Sequence, residues 1–418
     1  MRILLIGSGG REHALAWKMK ESPLVNELFI APGNPGMKDL GELVDGSPED
    51  LEGLLTFAKE RRIDLTVVGP EAPLVKGIVD LFRREGLRII GPDKKGAVLE
   101  GSKGFSKDFM ERYQIPTAKS HTSEDYREAL QIIKEYRLPL VLKADGLAAG
   151  KGVLICETME EAREGLKKIL KDRDFGHAGD QVVIEEFLTG VETSVIAFVD
   201  GKTIAPMASS RDYKRIGEGD QGLNTGGMGT YSPNEAYTKE VEARVEEEIL
   251  KPTLKGIQKE NMDYRGIIFI GIMITKEGPK VLEYNVRFGD PETQVILTRL
   301  DTDLVEIFKA VENASLKDIS IQWKEEKAVC VILASRGYPE AYEKGKIIEG
   351  LERVDEQTLV FHGGTGLKEE KLVTNGGRVL GVTSLDETLE KARKRAYDNV
   401  DKIRFEGKTY RRDIAKMQ

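Results

Sequence analysis

The sequence predicts a multidomain fold that combines α/β and α+β regions, and three observations lead to this prediction. A chain of 418 residues is too long for one compact core. Strand and helix patterns alternate over residues 2–100, which is typical of a parallel sheet with helices on both faces. Residues 191–300 are patterned as a mainly antiparallel sheet with one long helix, and residues from about 327 as a small α+β unit.

The N-terminal region begins with a short apolar run, a glycine-rich turn and a helix pattern. The turns GPE (69–71) and GPD (91–93) each follow a strand, and open α/β sheets bind ligands at that edge. Strand patterns occupy residues 3–6, 28–30, 65–68 and 87–90, and helix patterns occupy residues 13–20, 51–62 and 74–85.

Residues 101–190 contain two helix patterns and a pair of strands joined by small residues. The joining loop is ADGLAAGKG (144–152), so we expect a hairpin that covers a ligand. Helix patterns occupy residues 102–113 and 123–136, and strand patterns occupy residues 140–143, 153–156 and 182–186.

A polar, glycine-rich stretch at residues 211–233 interrupts the antiparallel region. A loop of that length without secondary structure is usually functional or disordered. Around and beyond it, the patterns predict a helix over residues 235–258, strands over residues 267–274, 280–285, 328–334 and 378–384, and a last helix from residue 386.

The net charge of −8 argues against a general nucleic-acid or membrane binder, although it leaves room for a local basic pocket for phosphates. Cys156 and Cys330 both lie in apolar runs and are interpreted as core residues, which suits a reducing compartment. The sequence has no signal-peptide layout and no apolar stretch near the roughly 20 residues of a membrane helix. We therefore expect a cytoplasmic protein.

Glycines follow the first strand directly in the motif GSGGRE (7–12). Their backbone N–H groups can approach a phosphate at a helix N-terminus, and the Arg11 fork can pair two phosphate oxygens. A dinucleotide fingerprint needs glycine where Glu12 stands, and an acidic residue where the second strand ends in Ala31 and Pro32. The motif therefore favours a monophosphate over a dinucleotide, with a tight turn that binds no ligand as the alternative.

The small-residue loop and Lys143, which precedes it, form the second motif. Such a loop can fold over a triphosphate while its lysines offset the charge. It is not a Walker A loop, because Asp145 stands where glycine is needed and Gly152 where serine or threonine is needed. The alternative interpretation is a flexible hairpin tip.

Two acidic segments form the third and fourth motifs. Backbone groups at the end of the strand 182–186 can face an adenine edge, and a nearby carboxylate can bind ribose. The sequence alone, however, favours a solvated acidic strand end. In the second segment, Glu283, Asn285 and Arg287 share one face of a strand. Glutamate and asparagine oxygens there can hold Mg²⁺, and the arginine can pair a carboxylate or phosphate. A salt-bridged structural network is the alternative.

The fifth motif combines DYKR (212–215) with the glycine-rich GLNTGGMG (222–229). Opposite charges beside a flexible loop suit a lid over a charged small molecule. A disordered surface loop is the alternative. The four histidines have no metal-ligand spacing, and no serine or cysteine nucleophile motif is present.

Taken together, five segments resemble the phosphoribosylamine–glycine ligase family of the ATP-grasp superfamily. They are GSGGREHA (7–14), GNPG (33–36), KADGLAAGKGV (143–153), NTGGMG (224–229) and RFGDPETQ (287–294). The resemblance runs from residue 3 to the C-terminal end. It implies a pre-ATP-grasp domain (1–101), a two-part ATP-grasp fold (102–190, with a lid part from about 116, and 191–325) and a C-terminal domain (326–418).

The resemblance also implies a role for individual residues. It implies ATP contacts from Lys103, Lys143, Gly146, Gly150, Lys151, Gly152, Glu185, Glu186, Leu188 and Glu192. It implies phosphoribosylamine contacts from Gly9, Gly10, Arg11, Asn34, Gly36 and Glu71. It implies Glu283 and Asn285 as ligands of Mg²⁺ or Mn²⁺, and we assign Arg287 and Asp212 to the carboxylate and the amine of glycine.

This sequence departs from the family pattern at three positions and lacks one metal carboxylate. Tyr213 stands where histidine is expected, Leu223 where proline is expected and Val286 where cysteine or alanine is expected. The strand over residues 266–275 also lacks the extra metal carboxylate common in ATP-grasp enzymes, so Mg²⁺ would depend more on phosphate oxygens and water. Tyr213 puts in doubt any proton transfer at that position.

The implied reaction joins glycine to 5-phosphoribosylamine at the expense of ATP, through glycyl phosphate, in de novo purine biosynthesis. Positioning and charge neutralisation suffice for it, without a protein nucleophile. We expect a monomer, with a weak dimer as the alternative, and no nucleic-acid or membrane partner. Competing hypotheses are a sister ATP-grasp enzyme that uses formate or bicarbonate, an NAD-dependent oxidoreductase and a non-catalytic nucleotide sensor.

Overall fold

The N-terminal region forms a parallel sheet, as the alternating pattern predicts. The computed structural model describes residues 1–147 and 152–416 of the chain. The strands are β1 (Arg2–Gly7), β2 (Glu27–Pro32), β3 (Glu42–Leu43), β4 (Leu65–Val68) and β5 (Ile89–Pro92). The helices are α1 (Gly10–Lys20), α2 (Leu51–Glu60), α3 (Glu71–Lys76), α4 (Ile78–Arg84) and α5 (Lys94–Gly101). The strand order β3–β2–β1–β4–β5 places the carboxyl end of β1 at the point where the order reverses, the position at which such sheets bind ligands.

The helix predicted over residues 74–85 is two helices, so that prediction was wrong. Gly77 separates α3 from α4 and has a φ of +92°, a left-handed conformation that ends a helix. Helix α5 was not predicted. Asp93 caps it by accepting a hydrogen bond from the Gly96 amide.

Residues 102–190 fold around an antiparallel sheet in the order β6–β9–β7–β8. Its elements are α6 (Lys103–Arg112), β6 (Ser120–Ser123), α7 (Tyr126–Ile132), β7 (Leu140–Ala144), β8 (Val153–Cys156), α8 (Met159–Leu166) and β9 (Val182–Glu186). The predicted hairpin is confirmed as β7 paired with β8. The prediction that a helix begins at residue 123 was wrong, because residues 120–123 pair with β9 and Asp125 caps α7.

The next region continues the N-terminal sheet. Its strands are β10 (Val191–Val199), β11 (Ile204–Pro206), β12 (Arg211–Asp212), β13 (Arg215–Gly217), β14 (Gln221–Asn224), β15 (Gly229–Ser232), β16 (Tyr264–Thr275) and β17 (Gly278–Asn285). Strand β16 pairs with β10 and β17 on its two sides and with β5 at its start, through Tyr264 and Arg265. This pairing joins the two regions in one nine-stranded sheet.

The one long helix predicted for this region is divided in the structure, and its later helices were not predicted. The helices are α9 (Lys239–Val245), α10 (Lys251–Lys259), α11 (Glu292–Arg299) and α12 (Leu304–Glu312). The single helix expected over residues 235–258 is α9 and α10, separated by one π-helical turn at Glu246–Leu250. The continuous apolar pattern did not distinguish these two forms of helix.

The C-terminal unit is an α+β structure, as predicted. Its elements are β18 (Lys327–Ser335), β19 (Thr358–His362), β20 (Thr365–Lys368), β21 (Lys371–Thr374), β22 (Arg378–Asp386), α13 (Leu389–Val400) and β23 (Lys408–Thr409). The main sheet has the order β12–β15–β18–β22–β19, and β23 pairs with β18. The last helix begins at Leu389 rather than at residue 386, because Thr388 is its N-cap.

Residues 211–233 are not the structureless loop that the composition suggested. They contain β12 to β15, and β15 pairs with β18 of the C-terminal unit along its whole length. Strands β13 and β14 form a separate small hairpin. Although these residues belong to the predicted third domain, they share a sheet with the fourth. None of the helices in the described ranges is long and apolar enough to cross a membrane.

Candidate active site

The hairpin β7–β8 and the strand β17 meet at one cleft through Lys143. This lysine lies near the end of β7, and its Nζ donates to the carbonyl oxygen of Leu282, 3.0 Å away on β17. It also lies 3.0 Å from Glu185 Oε2. The predicted phosphate-binding hairpin is therefore adjacent to Glu283, the first of the predicted metal ligands.

Lys103 reaches the same hairpin from the first turn of α6. Its Nζ donates to the carbonyl oxygen of Gly146 at 2.9 Å. Asp145 fixes this junction, because its Oδ1 accepts from the Gly104 amide at 2.6 Å. Burial lowers the pKa of Lys103, and the negative charge of Glu283 opposes this shift. The predicted contacts of Gly150 and Lys151 lie outside the described residues.

Glu185 serves as a counter-ion for two buried lysines. Its carboxylate lies between Lys143 and Lys107, and Lys107 Nζ is 3.1 Å from Glu185 Oε1. All three side chains are less than 9% exposed. Burial lowers the pKa of Lys107 to about 8, although Glu185 opposes the shift. Sequence reasoning missed Lys107, whose only signal is a position four residues after Lys103.

The segment after β9 offers backbone groups at the mouth of the cleft. The Glu186 amide donates to the Lys119 carbonyl at 3.0 Å, so of its backbone only the carbonyl can face a ligand. The Leu188 amide has no hydrogen-bond partner within residues 1–147 and 152–416. Glu192, on β10, lies 2.6 Å from Lys214 Nζ.

Glu283 and Asn285 point to one face of β17, as the strand periodicity predicted. Burial would raise the pKa of Glu283, but nearby positive charges, including those of Lys214 and Lys143, lower it to about 2. Asn285 Oδ1 accepts a hydrogen bond from Arg287 Nη2 at 3.1 Å. The face therefore carries an ionised carboxylate and an amide oxygen at neutral pH.

These two oxygen ligands fit a metal that is shared with a nucleotide. Mg²⁺ is usually held by one or two protein oxygens together with phosphate oxygens and water. Across the part of the chain that is described, no three His, Cys, Asp or Glu side chains are grouped so as to hold a metal alone. Gly271 lies opposite Glu283 on β16, where a Cβ would be 3.3 Å from Glu283 Cγ. At the position opposite Glu283, β16 thus supplies no carboxylate.

Arg287 is held by acidic residues from the N-terminal region. Its Nη2 lies 3.1 Å from Glu100 Oε1, and its Nε lies 3.3 Å from Glu71 Oε2. Its Nη1 donates to the carbonyl oxygen of Phe288 at 3.1 Å. Burial opposes ionisation of Glu71, but Arg287 and Arg11 lower its pKa. The predicted ribose contact and the predicted glycine contact are therefore neighbours.

The glycine-rich loop after β1 is closed by Glu12. Its Oε2 accepts from the Gly9 amide at 2.6 Å, and its Oε1 pairs with Arg11 Nε at 2.5 Å. Arg11 Nη1 donates to the Phe288 carbonyl at 3.0 Å. The Glu12 carboxylate also fills the space beside Gly69, where a Cβ would be 2.1 Å from Glu12 Oε1. This carboxylate disfavours a dinucleotide pyrophosphate at the loop.

Asn34 connects the glycine-rich loop to the C-terminal unit. Its Nδ2 donates to the carbonyl oxygens of Ser8 and His362, both at 2.8 Å, and its Oδ1 accepts from the Gly36 amide. Only one lone pair of Oδ1 is then left for a ligand. Gly36 packs against the His362 ring, where a Cβ would be 2.3 Å from Cγ. In the structure, both predicted residues support the loop from behind.

A cavity of about 170 Å³ opens beside the same loop. Gly9 and Gly10 line one side, and Asp290, Gln294 and Arg378 line the other. Arg378 Nη2 lies 3.3 Å from Asp290 Oδ2, and Gln294 Nε2 donates to Asp290 Oδ1 at 2.9 Å. Sequence reasoning missed these three residues. Asp290 and Gln294 lie in the motif RFGDPETQ, whereas Arg378 lies at the start of β22, which only the fold places against the N-terminal loop.

Asp212 and Lys214 bring a carboxyl group and an ammonium group into the cleft. Asp212 Oδ1 is buried and has no hydrogen-bond partner among the described residues. Burial and the carboxylate of Glu292 raise the pKa of Asp212, against the charge of Lys214. Lys214 Nζ lies 2.6 Å from Glu192 and 3.7 Å from Glu283. No role was predicted for Lys214, although it lies in the motif DYKR (212–215). In the structure it lies at the centre of the charged cluster.

The motif NTGGMG forms a turn that the C-terminal unit fixes. Thr225 donates from both its amide and its hydroxyl to the Lys214 carbonyl, each at 2.8 Å. Arg378 Nη1 donates to the Gly226 carbonyl at 2.6 Å, and Tyr338 Oη accepts from the Gly226 amide. Gly227 has a φ of +114°, which explains glycine at this position.

The three departures from the family pattern have different surroundings. Tyr213 is buried, and its hydroxyl accepts from the Ala415 amide at 3.2 Å. Val286 is buried, and its amide donates to Glu100 Oε2 at 2.7 Å. Leu223 is 49% exposed on β14.

Comparisons with known proteins cover nearly the whole chain. Three family models of phosphoribosylglycinamide synthetase match in order: the N domain at residues 1–100, the ATP-grasp (A) domain at residues 101–293 and the C domain at residues 328–417. A phosphoribosylamine–glycine ligase of Caldanaerobacter subterraneus subsp. tengcongensis is 50% identical over 415 residues, which are 99% of each chain. One from Vibrio vulnificus is 50% identical over 418 residues, covering 99% of this chain and 97% of the relative.

Solved structures have the same fold. The crystal structure of a phosphoribosylamine–glycine ligase from Thermotoga maritima matches with a TM-score of 0.89 and 40% identity, covering 99% of this chain and all of that one. A biotin carboxylase domain from Hydrogenobacter thermophilus, in complex with MgADP and bicarbonate, matches with a TM-score of 0.74 at 17% identity and covers 98% and 91% of the two chains. At that identity the second likeness concerns the fold alone.

Proposed function

Because the chain belongs to the phosphoribosylglycinamide synthetase family, it has phosphoribosylamine–glycine ligase activity in purine biosynthesis, and we propose which of its residues perform each step. The cleft between the β7–β8 hairpin and β17 binds ATP and glycine. The loop after β1 binds phosphoribosylamine. The observation that carries this assignment is the contact of Lys143 with Leu282, which joins the phosphate side of the cleft to the strand that holds Glu283.

The nucleotide lies along β9 with its phosphates toward Lys143 and Lys103. Adenine takes the Leu188 amide and the Glu186 carbonyl, and Glu192 binds the ribose hydroxyls. In the structure, the Glu192 carboxylate is paired with Lys214. Glu192 must leave this pair to bind the ribose hydroxyls, and Lys214 then keeps its contact with Glu283. Gly146 and Gly152, which belong to the described part of the 144–152 loop, contact the phosphates.

Glu283 and Asn285 would hold Mg²⁺ or Mn²⁺ through their side-chain oxygens. A metal held there would supply positive charge against the charge that develops on the transferred phosphoryl group. The MgADP complex of the structurally similar biotin carboxylase domain supports a divalent ion in this fold. The lowered pKa of Glu283 keeps the carboxylate ionised for this role at all physiological pH values.

In the first step, the glycine carboxylate attacks the γ-phosphorus of ATP, which gives glycyl phosphate and ADP. Arg287 directs this carboxylate with its remaining Nη1 hydrogen, since Nη2 donates to Asn285 and is paired with the Glu100 carboxylate. Asp212 accepts a hydrogen bond from the glycine ammonium group through its unpartnered Oδ1. Lys143 and Lys103 stabilise the charge on the transferred group.

In the second step, the amine of phosphoribosylamine attacks the acyl carbon of glycyl phosphate, and inorganic phosphate leaves. The 5′-phosphate binds in the cavity beside Gly9 and Gly10, where the Gly10 and Arg11 backbone and Arg378 provide donors. Glu71 binds ribose hydroxyls, and Asn34 and Gly36 hold the loop in place from behind. A closed cleft would protect the acyl phosphate from water.

A substrate-omission assay tests this proposal. We expect ADP formation only when ATP and glycine are both present, and phosphoribosylglycinamide only when phosphoribosylamine is added as well. Formate or bicarbonate should not replace glycine. Glu283→Gln should abolish ADP formation with the fold intact, whereas the matched control Glu277→Gln, in the exposed turn of the same hairpin, should be as active as the wild type. Full activity of Glu283→Gln would contradict the assignment.

We propose that the chain divides into four domains, with boundaries after residues 101, 190 and 325. In this division, the first unit binds phosphoribosylamine, the next two bind ATP and the metal, and the last closes the phosphoribosylamine side. We propose that the enzyme acts as a monomer.

A further inference from the structure

A short segment after the last strand crosses the back of the active-site cleft. We call residues 410–415 the strap segment. Its second residue, Arg411, is fully buried, with 1% of the side chain exposed. A buried guanidinium is costly unless its donors are satisfied, so its partners show what it holds in place.

Arg411 binds the β13–β14 hairpin and fixes the strap segment at the same time. Its Nη1 donates to the Arg215 carbonyl at 3.0 Å and to Asp220 Oδ1 at 2.8 Å. Its Nε and Nη2 donate to the two carboxylate oxygens of Asp413 at 2.8 and 2.6 Å. Asp413 Oδ2 also accepts from the Gly219 amide at 2.8 Å. The bidentate Arg411–Asp413 pair therefore connects the strap segment to the first residue of the hairpin and to its turn.

The strap segment also holds Tyr213, the residue that precedes this hairpin by two positions. The Arg411 guanidinium carbon lies 4.9 Å from the centre of the Tyr213 ring. The Ala415 amide donates to the Tyr213 hydroxyl at 3.2 Å. Through the backbone, Tyr213 is paired with Gly229 and Met228 of the neighbouring strand. The tyrosine is therefore fixed at its ring, its hydroxyl and its backbone.

Asp212 and Lys214 flank Tyr213 and point to the opposite face of the chain. Successive side chains of an extended segment alternate between its faces. The tyrosine points back into the C-terminal core, and Lys214 points forward to Glu192 and Glu283. A shift of the tyrosine therefore moves both charged side chains.

The other side of the strap segment is anchored to α13. The Tyr397 hydroxyl donates to the Arg411 carbonyl at 2.7 Å and accepts from the Ile414 amide at 3.1 Å. Arg393 donates to the carbonyls of Arg412 and Ile414. The segment thus connects a helix of the C-terminal unit to Tyr213 and the β13–β14 hairpin.

We propose that the strap segment positions Asp212 and Lys214 in the active site by holding Tyr213 from behind. Arg411 and Tyr213 are then positioning residues for the amino-acid substrate and do not touch it. This inference rests on the proposed assignment of Asp212 to the glycine amine. It also gives Tyr213, where the family pattern led us to expect histidine, a role that involves no proton transfer.

Two single substitutions test the inference. Arg411→Lys keeps the charge but cannot reach Asp220, Asp413 and the Arg215 carbonyl together. Tyr213→Phe removes only the hydroxyl that binds Ala415. Because a misplacement of about 1 Å can cost a factor of about 100, we expect kcat/KM for glycine to fall by roughly ten- to a hundredfold in Arg411→Lys and less in Tyr213→Phe. The KM for phosphoribosylamine should stay at the wild-type value.

Tyr410→Phe is the matched control, because it removes a tyrosine hydroxyl that contacts Asp401 on the far side of the same segment. It should leave all kinetic constants unchanged. The effects of Arg411→Lys and Tyr213→Phe should be less than additive in the double variant, since both act on the same anchor. Amide hydrogen exchange of residues 212–229 should be faster in Arg411→Lys.

A purely structural role would give a different result. It would lower the unfolding temperature of the variants but leave kcat/KM for glycine intact well below that temperature, and this outcome would overturn the inference. If Arg411→Lys does not fold, Tyr213→Phe decides. If Asp212→Asn leaves the KM for glycine unchanged, the proposed glycine site is wrong. Hydrogen exchange in Arg411→Lys still shows, independently of that result, whether the strap segment holds residues 212–229.

Discussion

Glu100 and Arg287 form a buried ion pair, in which Glu100 Oε1 lies 3.1 Å from Arg287 Nη2. Glu100 lies near the end of α5, and Arg287 follows β17, so the pair connects the N-terminal region to the strand of the proposed metal site. The second oxygen of Glu100 accepts from the Val286 amide at 2.7 Å. Burial raises the pKa of Glu100, and Arg287 opposes the shift. The orientation of Arg287 is therefore set by a carboxylate from another region of the chain.

Glu100→Gln should weaken both glycine binding and folding. The amide can still hydrogen-bond to Arg287 or to Val286, but it no longer compensates the guanidinium charge. We expect a higher KM for glycine and a free energy of unfolding that is lower by about 1–3 kcal/mol. Urea unfolding and glycine titrations measure the two effects. The control Glu111→Gln, on the exposed side of α6, should change neither. Wild-type values in Glu100→Gln would show that Arg287 is held by its other contacts.

Lys143→Met should lower kcat far more than it affects stability. Glu185 keeps Lys107 as its partner in this variant, so no buried charge is left without compensation. Removing a group that stabilises the transferred phosphoryl charge typically costs about 10²–10³ in kcat. Single-turnover ADP formation measures the loss. Lys119→Met is the control, because the side chain of Lys119 lies over the Tyr136 ring and its contacts with Glu186 are made by the backbone alone. An unchanged rate in Lys143→Met would exclude Lys143 from the chemical step.

His13 and His362 make stability depend on pH near neutrality. His13 Nδ1 accepts from the His362 amide at 2.8 Å, which requires an unprotonated Nδ1. Burial and the neighbouring His362 lower the pKa of His13 to about 3, and burial lowers that of His362 to about 4. Both are lower than the unfolded value of about 6.5. The unfolded chain therefore binds more protons, and stability is full above about pH 6.5 and falls as the pH decreases.

The contribution of His13 can be isolated by comparing the wild type with His13→Gln. A glutamine oxygen can accept the same hydrogen bond but does not titrate. As the pH is lowered from about 6 to about 4.5, the free energy of unfolding should fall more steeply in the wild type than in His13→Gln. The two slopes should differ by about 1.4 kcal/mol per pH unit. Buried carboxyl groups with raised pKa values, such as Glu100 and Asp212, titrate in both proteins and cancel in the comparison. Parallel curves from urea unfolding would show that His13 is already protonated in the folded state.

The sequence predicted those parts of the fold and site that depend on local periodicity. Glu283, Asn285 and Arg287 share a face of β17 because strand side chains alternate, and the β7–β8 hairpin follows from two apolar runs around small residues. Residues 211–233 were missed because their strands are short, polar and rich in glycine. The partner of β15, which is β18, also lies about a hundred residues further along the chain, so that pairing depends on the tertiary fold.

Long-range charge partners could not be predicted for the same reason. Glu100 and Arg287 are 187 positions apart, and Arg378 reaches the Gly226 turn across 152 positions. Each side chain on its own is an ordinary charged residue of a helix or strand. Only the pairing of β5 with β16, and of β15 with β18, brings the partners within hydrogen-bonding distance.

Removal of one proposed metal ligand should change the metal requirement before it changes any other property. In Asn285→Ala, Glu283 remains as the only protein ligand, and Gly271 on the neighbouring strand supplies no substitute. We expect the concentration of free Mg²⁺ that gives half-maximal activity, at saturating ATP and glycine, to rise by roughly tenfold or more. Asn285→Asp restores an oxygen ligand and should keep that concentration at or below the wild-type value. Both substitutions also alter the hydrogen bond between Asn285 and Arg287 Nη2. If the effect came only from Arg287, the KM for glycine would rise in each variant. The dependence of activity on Mg²⁺ would then be the same in the two variants. That pattern would place the metal away from Asn285.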